Sequence, residues 1–227
     1  MVPSFDIVFR NERNSLGDDL QARKRLLDYL ERGNYLRTAG VRTAMEEVDR
    51  RNFVKTSDKY LAYDDTPLTI GQGQTISAPH MVAMMLEELK LRKTDNLLEI
   101  GSGCGYHAAV ASRMVSRVTT IERITYLYEL ACENLEDFDN VQVVNGDGSR
   151  GFVENSPYQK IMVTCGAPRV PPPLIDQLEV GGLMVIPVGG RVAQELLTVE
   201  RTADGISVSR RPGVAFVPMI GVNAFED

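Results

Sequence analysis

The chain has 227 residues, 43% hydrophobic and 25% charged, with a formal net charge of −6. That length fits one large domain, or one with a small helical extension, and buries enough apolar surface to fold without disulfides or metal. No apolar run approaches a membrane span, the acidic balance argues against a nucleic-acid binder, and three scattered cysteines with two histidines match neither a disulfide framework nor a zinc site.

The N-terminal stretch MVPSFDIVFRNERNS carries Arg and Glu early and has no apolar core followed by a small-residue cleavage site. No signal peptide is expected, and the protein is expected to be cytoplasmic. Asp18 or Asp19 can cap a helix running to Arg32, with Leu20, Leu26, Leu27 and Leu30 roughly on one face and Gly33 ending it. A second helix, VRTAMEEVDRR, is capped near Thr38. The stretch LAYDDTPLTIGQGQTISAPH follows, dense in Gly, Pro, Asp and Thr yet partly apolar. Such a composition reads as a structured functional loop.

From residue 78 the pattern changes. Pro79 suits the first turn of a helix through MVAMMLEELK. Short apolar runs then alternate with helical segments: strands at 96–100, 118–122, 141–145, 160–164 and 183–188, with helices YHAAVASRMV, TYLYELACENLEDF and PPLIDQL between them. Continuous apolar strands in strand–helix alternation predict an α/β, doubly wound, mostly parallel sheet of Rossmann-like type, covered on both faces. Two further β-rich runs, 194–202 and 205–221, are joined by Ala203-Asp204-Gly205. The Asp-Gly pair predicts a hairpin, hence an antiparallel C-terminal edge.

The first parallel strand enters Glu99-Ile100-Gly101-Ser102-Gly103-Cys104-Gly105-Tyr106. Alternate glycines let the chain turn sharply and let a ligand approach the backbone, and the next helix points its amides there. The second strand ends in Glu122, placed to accept both hydroxyls of a ribose. A dinucleotide fingerprint wants Gly or Ala where Tyr106 stands. The spacing G-x-G-x-G after an acidic residue looks instead like motif I of Rossmann-like methyltransferases. That resemblance gives Glu99 the cationic methionine end of the cofactor, and Asp147 the adenine amino group. The plainer alternatives stay open: Glu99 as an edge carboxylate, Asp147 as a turn cap.

AYDDTPLTIGQGQTISAPHMVAMMLEEL (62–89) closely resembles the signature of the protein-L-isoaspartate O-methyltransferase family, with GQTISAPH (73–80) as its most specific part. The match continues through LLEIGSGCGYHAAV, TIERITYL, NGDGSRGF and 158–189, and ends in GVAFVPMIG, covering roughly residues 40–221. Asp49-Arg50-Arg51-Asn52 departs from the family's usual run, and residues 1–35 carry little signature.

The resemblance implies S-adenosyl-L-methionine as cofactor, S-adenosyl-L-homocysteine as product and no metal. The length and the helical reading of the first part predict an N-terminal helical segment, 1–60, and one compact methyltransferase unit, 61–227. The cofactor would be held by Gln74, Thr75, Ile76, Glu99, Gly101, Gly103, Glu122, Arg123, Asp147 and Gly148. Ser77 would be the catalytic residue, with Thr75, Ser77, His80 and Val217 on the substrate. The implied partners are peptides and damaged proteins containing L-isoaspartyl residues. A monomer, without nucleic acid or membrane, is expected. On local grounds alone Ser77 reads as a helix N-cap, His80 as a core residue, His107 as surface or packing, and 215–220 as an edge strand that could line an extended peptide. Competing readings are a methyltransferase for RNA or a small molecule, a binding protein without turnover, and a dinucleotide oxidoreductase.

Overall fold

The computed structural model describes residues 16–226; the absence of a signal peptide is a reading of residues 1–15 and lies outside them. Helix α1 (Leu16–Arg32) buries Leu26, Leu27 and Leu30 but leaves Leu20 56% exposed, so the apolar face is one residue narrower than its sequence pattern suggests. The helix begins at Leu16, which puts Asp18 and Asp19 inside its first turn and not at its cap. Helix α2 (Ala39–Glu47) is capped by Thr38, whose hydroxyl accepts the Val41 N–H, as predicted. It stops short of Asp49, and Arg50–Phe53 form a separate turn of 3₁₀-helix.

A hairpin of β1 (Leu68–Gly71) and β2 (Gln74–Ile76) follows, where the composition predicts only a structured loop. Its turn holds Gly71, Gln72 and Gly73 all at positive φ, a geometry that the two glycines make accessible. Helix α3 (Pro79–Leu89) starts with Pro79 in its first turn. Its buried Glu87 accepts from the Arg37 N–H, the Thr38 N–H and the Thr38 hydroxyl, which fastens the start of α2 to α3.

The main sheet has seven strands: β3 (Asn96–Ile100), β4 (Arg117–Glu122), β5 (Val141–Asn145), β6 (Tyr158–Val163), β7 (Leu178–Gly189), β8 (Gln194–Thr202) and β9 (Gly205–Val214). Their order is β5-β4-β3-β6-β7-β8-β9. β3 to β7 run parallel, and β8 and β9 add an antiparallel edge joined at the predicted turn. The chain winds outward from β3 through β4 and β5, then crosses back to β6, leaving a switch point beside the carboxyl end of β3.

The faces are covered unequally. Side chains from α1 to α3, α4 (Tyr106–Ser112) and α5 (Thr125–Asn134) share one core with Leu97, Val118, Met162 and Val185. The opposite face, carrying Leu98, Ile100, Ile161 and Met184, is covered by the short α6 (Pro172–Gln177) and by Met219 of the C-terminal segment. β9 ends at Val214, and 215–220 form only isolated bridges, Pro218 to Gly166 and Ile220 to Phe225. The predicted edge strand there is therefore a bridged, irregular segment, because Pro218 lacks the N–H that a continuing ladder needs.

Candidate functional site

A cleft open to solvent lies at the carboxyl ends of β3, β4 and β6. It is where a doubly wound sheet places its ligand. Eight of the sequence-predicted residues line it: Gln74, Thr75, Gly101, Gly103, Glu122, Arg123, Gly148 and Val217. A smaller cavity of about 350 Å³ adjoins, lined by Ile76 and Ser77 and sharing Thr75, Gly101, Gly103 and Thr164 with the cleft. His80, Glu99 and Asp147 line neither.

The glycine loop is fitted to its surroundings. Gly101 has φ +93°, and a Cβ there would stand 2.6 Å from the Thr164 hydroxyl oxygen. That hydroxyl donates to the Gly101 carbonyl at 2.6 Å, so the end of β6 fixes the loop that follows β3. Glu122, 7% exposed, accepts the Gly103 N–H at 2.9 Å with one oxygen and the Ile124 N–H at 2.9 Å with the other. Both oxygens are thereby oriented and keep lone pairs for further donors such as ribose hydroxyls.

Glu99 lies wholly beneath the loop. One oxygen accepts the Thr120 hydroxyl at 2.5 Å and the other has no partner among the described residues. Thr120 bonds in turn to Ser102 at 2.7 Å. Burial, with the negative charge of Glu122 adding to it, pushes the Glu99 carboxyl up to about 8. Asp147 does cap the turn after β5, accepting the Ser149 N–H at 3.0 Å, and its second oxygen accepts the Val222 N–H at 3.0 Å. Burial would raise its pKa, but these bonds hold it below the usual carboxylate range.

Ser77 is not the cap of α3. Ala78 holds that position, and the Asp65 carboxylate, not a cap residue's side chain, accepts the His80 N–H of the first turn at 2.8 Å. His80 is half-buried, its ring nitrogen 2.9 Å from Asp65 and its ring 5.2 Å from that of Tyr35. His107 is a packing residue, as one of its two readings held. It is 6% exposed, and burial pushes its pKa down to about 3. Thr164 and Cys165 of the cleft were missed by the sequence reading. The one available signal was their place just beyond β6, at the carboxyl end of a parallel strand. Among the described residues no helix is long and apolar enough to cross a membrane, and no cluster of His, Cys, Asp or Glu could hold a metal.

The residues present fit a nucleoside cofactor with a cationic end. The loop leaves no room for a side chain at Gly101, Glu122 faces the cleft, and an unpartnered buried carboxyl oxygen lies under the loop. Comparison with known proteins agrees. A family model described as protein-L-isoaspartate(D-aspartate) O-methyltransferase matches residues 21–224. A protein-L-isoaspartate O-methyltransferase of Methanothermobacter thermautotrophicus is 47% identical over 213 residues, covering 91% of this chain and 98% of its own. That of Hyperthermus butylicus is 49% identical over 216 residues, covering 88% and 89%. A Plasmodium falciparum structure, described as such a methyltransferase in complex with S-adenosyl-L-homocysteine, superposes with a TM-score of 0.78 at 28% identity, covering 87% of this chain and 98% of that one. The chain belongs to the protein-L-isoaspartate(D-aspartate) O-methyltransferase family.

Proposed function

We propose that this protein transfers the methyl group of S-adenosylmethionine to the free α-carboxylate of L-isoaspartyl residues in damaged proteins, which starts their repair through a succinimide. The observation that carries the reading is the wall shared by the two cavities. Thr75, Gly101, Gly103 and Thr164 face both, so Ser77 sits one cavity away from the cofactor cleft. S-adenosylmethionine supplies a methyl group on a positively charged sulfur. Glu122 accepts the ribose hydroxyls, Glu99 faces the cationic end from beneath the loop, and Asp147 with Gly148 takes the adenine end. Gln74, Thr75, Ile76 and Arg123 complete the hold.

The acceptor carboxylate has an intrinsic pKa near ~4 and is ionised at neutral pH, so the site needs no general base. The site's own groups suit that requirement. With a pKa of about 3, His107 on the wall of the smaller cavity is too weak a base to draw a proton from Ser77. Ser77 and Thr75 therefore serve as neutral hydrogen-bond donors that aim the carboxylate at the methyl carbon. An arginine in their place would hold the anion but lower its nucleophilicity. Positioning of this kind is worth several kcal/mol, up to ~7–11 in ideal cases. His80 and Val217 flank the substrate backbone. The substrate is a peptide or damaged protein met by a cytoplasmic monomer, with no part for nucleic acid or membrane.

The test is a labelled-methyl assay offering isoaspartyl peptide, the matching aspartyl peptide and total RNA. Label confined to the isoaspartyl peptide is expected. Equal labelling of the aspartyl peptide, label in RNA, or cofactor binding without any product would each overturn the reading. In the same assay Ser77→Ala is expected to lower kcat by ~10–100-fold with little change in cofactor affinity. Glu122→Ala is expected to do the reverse. Full activity in Ser77→Ala would move the positioning role elsewhere.

A further inference from the structure

Arg50 is a cation placed in the core. It is 2% exposed, and its guanidinium donates to three backbone carbonyls: Ala62 at 2.8 Å, Thr66 at 3.1 Å and Ser77 at 3.1 Å. Among the described residues no carboxylate lies within ion-pair distance of it, and its Nε has no partner. A buried charge without a counter-ion is unfavourable to keep, and a neutral amide could tie two carbonyls at lower cost. What the guanidinium adds is a rigid planar fork that reaches three acceptors at once.

Those three acceptors bracket one stretch of chain. Residues 62 and 77 are the two ends of the segment that contains the β1–β2 hairpin, and this segment delivers Gln74 and Thr75 to the cleft and Ile76 and Ser77 to the smaller cavity. Ala78 at the cap of α3 has no polar side chain to offer, and the Asp65 carboxylate accepts the His80 N–H there instead, so the helix start does not fix the Ser77 carbonyl. That carbonyl is held on Arg50. A carbonyl freed from that bond could rotate toward the cavity, where its oxygen would repel an anionic acceptor.

We propose that Arg50 is a positioning residue for methyl transfer. By holding the Ser77 carbonyl inward it sets the rotation of that peptide, and with it the direction of the Ser77 hydroxyl. The inference rests on the reading of Ser77 given above. Arg50 touches neither substrate nor cofactor and acts through the backbone.

The experiment is a double-mutant cycle of Arg50→Lys and Ser77→Ala in the full chain, with isoaspartyl peptide as acceptor and titration calorimetry of S-adenosylhomocysteine on each variant. Lysine keeps the charge but cannot span three carbonyls. Arg50→Lys is expected to bind S-adenosylhomocysteine within about threefold of the parent and to lose ~10–100-fold in kcat. In the Ser77→Ala background the same change is expected to cost no more than about twofold, because both substitutions remove one shared function. A kcat within twofold of the parent for Arg50→Lys, or independent effects that multiply in the double variant, would overturn the proposal. Full activity in Ser77→Ala alone is a different result, which takes down the reading of Ser77 and this inference with it. If neither Arg50→Lys nor Arg50→Gln binds S-adenosylhomocysteine, the residue determines the fold and the proposal fails.

Discussion

Glu99 shows how one side chain can make stability depend on pH. Its carboxyl is wholly buried and its pKa is pushed to about 8, against 4.5 for the ordinary group. Between those values the folded state holds a proton that the unfolded chain releases. The stability this group contributes is therefore complete below about pH 4.5, falls as pH rises, and is gone above about 8. Glu99→Gln removes the titration while keeping the shape. Scanning calorimetry from pH 5 to 8.5 on the cofactor-free protein is expected to show a shallower fall in melting temperature for the variant, and parallel curves would refute this. Arg50 and Glu99 also mark the limit of residue-level reading. In the sequence Arg50 stands in Asp49-Arg50-Arg51, which looks like a solvated charge run. Its three carbonyl partners are 12 to 27 positions away, and no local pattern announces them.

Among the elements, helix α3 carries a visible defect. It ends on Lys90, which sits in the left-handed region at φ 51°, ψ 52°. A side chain there costs about 1 kcal/mol that glycine does not incur. Lys90→Gly is expected to raise the melting temperature by ~2–4 °C and to leave methyl transfer unchanged, because Lys90 lines neither cavity. A lower melting temperature would show that the lysine makes contacts worth more than its strain.

All five parallel strands were legible, and β3, β4 and β5 within one residue at each end. Runs such as 97–100 and 161–163 are mostly apolar and buried on both faces, as strands inside a parallel sheet are. The β1–β2 hairpin was not legible as strands, since each arm has at most four residues and the turn dominates its composition. β7 begins at Leu178, five residues before its apolar run, because Glu179-Val180-Gly181-Gly182 reads as a loop and joins the strand through an irregular register. The glycine loop and Glu122 of the cleft were legible, because glycine spacing and a carboxylate at a strand end are local signals, whereas Glu99 and Asp147 line neither cavity. The far wall of the cleft, from Val217 to Ile220, could be placed only by resemblance, since the bridge from Pro218 to Gly166 spans some fifty positions.

At the scale of the whole molecule, the N-terminal helices and the sheet share one apolar core. Leu27 and Leu30 of α1 belong to the same buried cluster as Leu97 and Val185. The helices are accordingly expected to unfold together with the sheet. Leu27→Ala, at a position with no exposure, is expected to cost ~2–5 kcal/mol. Denaturant melts of the variant followed by circular dichroism and by tyrosine emission are expected to coincide in one shifted transition. Two separate transitions would mean that α1 and α2 form an independent unit.

The cleft draws its walls from residues 74 and 75, which precede the main sheet in the sequence, and from 217 to 220, which follow its last strand. A polypeptide emerging from the ribosome can therefore assemble most of its parallel strands long before it can hold a nucleoside. The far wall forms only after residues 217–222 have been made and Pro218 and Val222 have settled beside Gly166 and Asp147. Copies that stop before residue 217 would lack this wall, and ligand binding would report that it has formed.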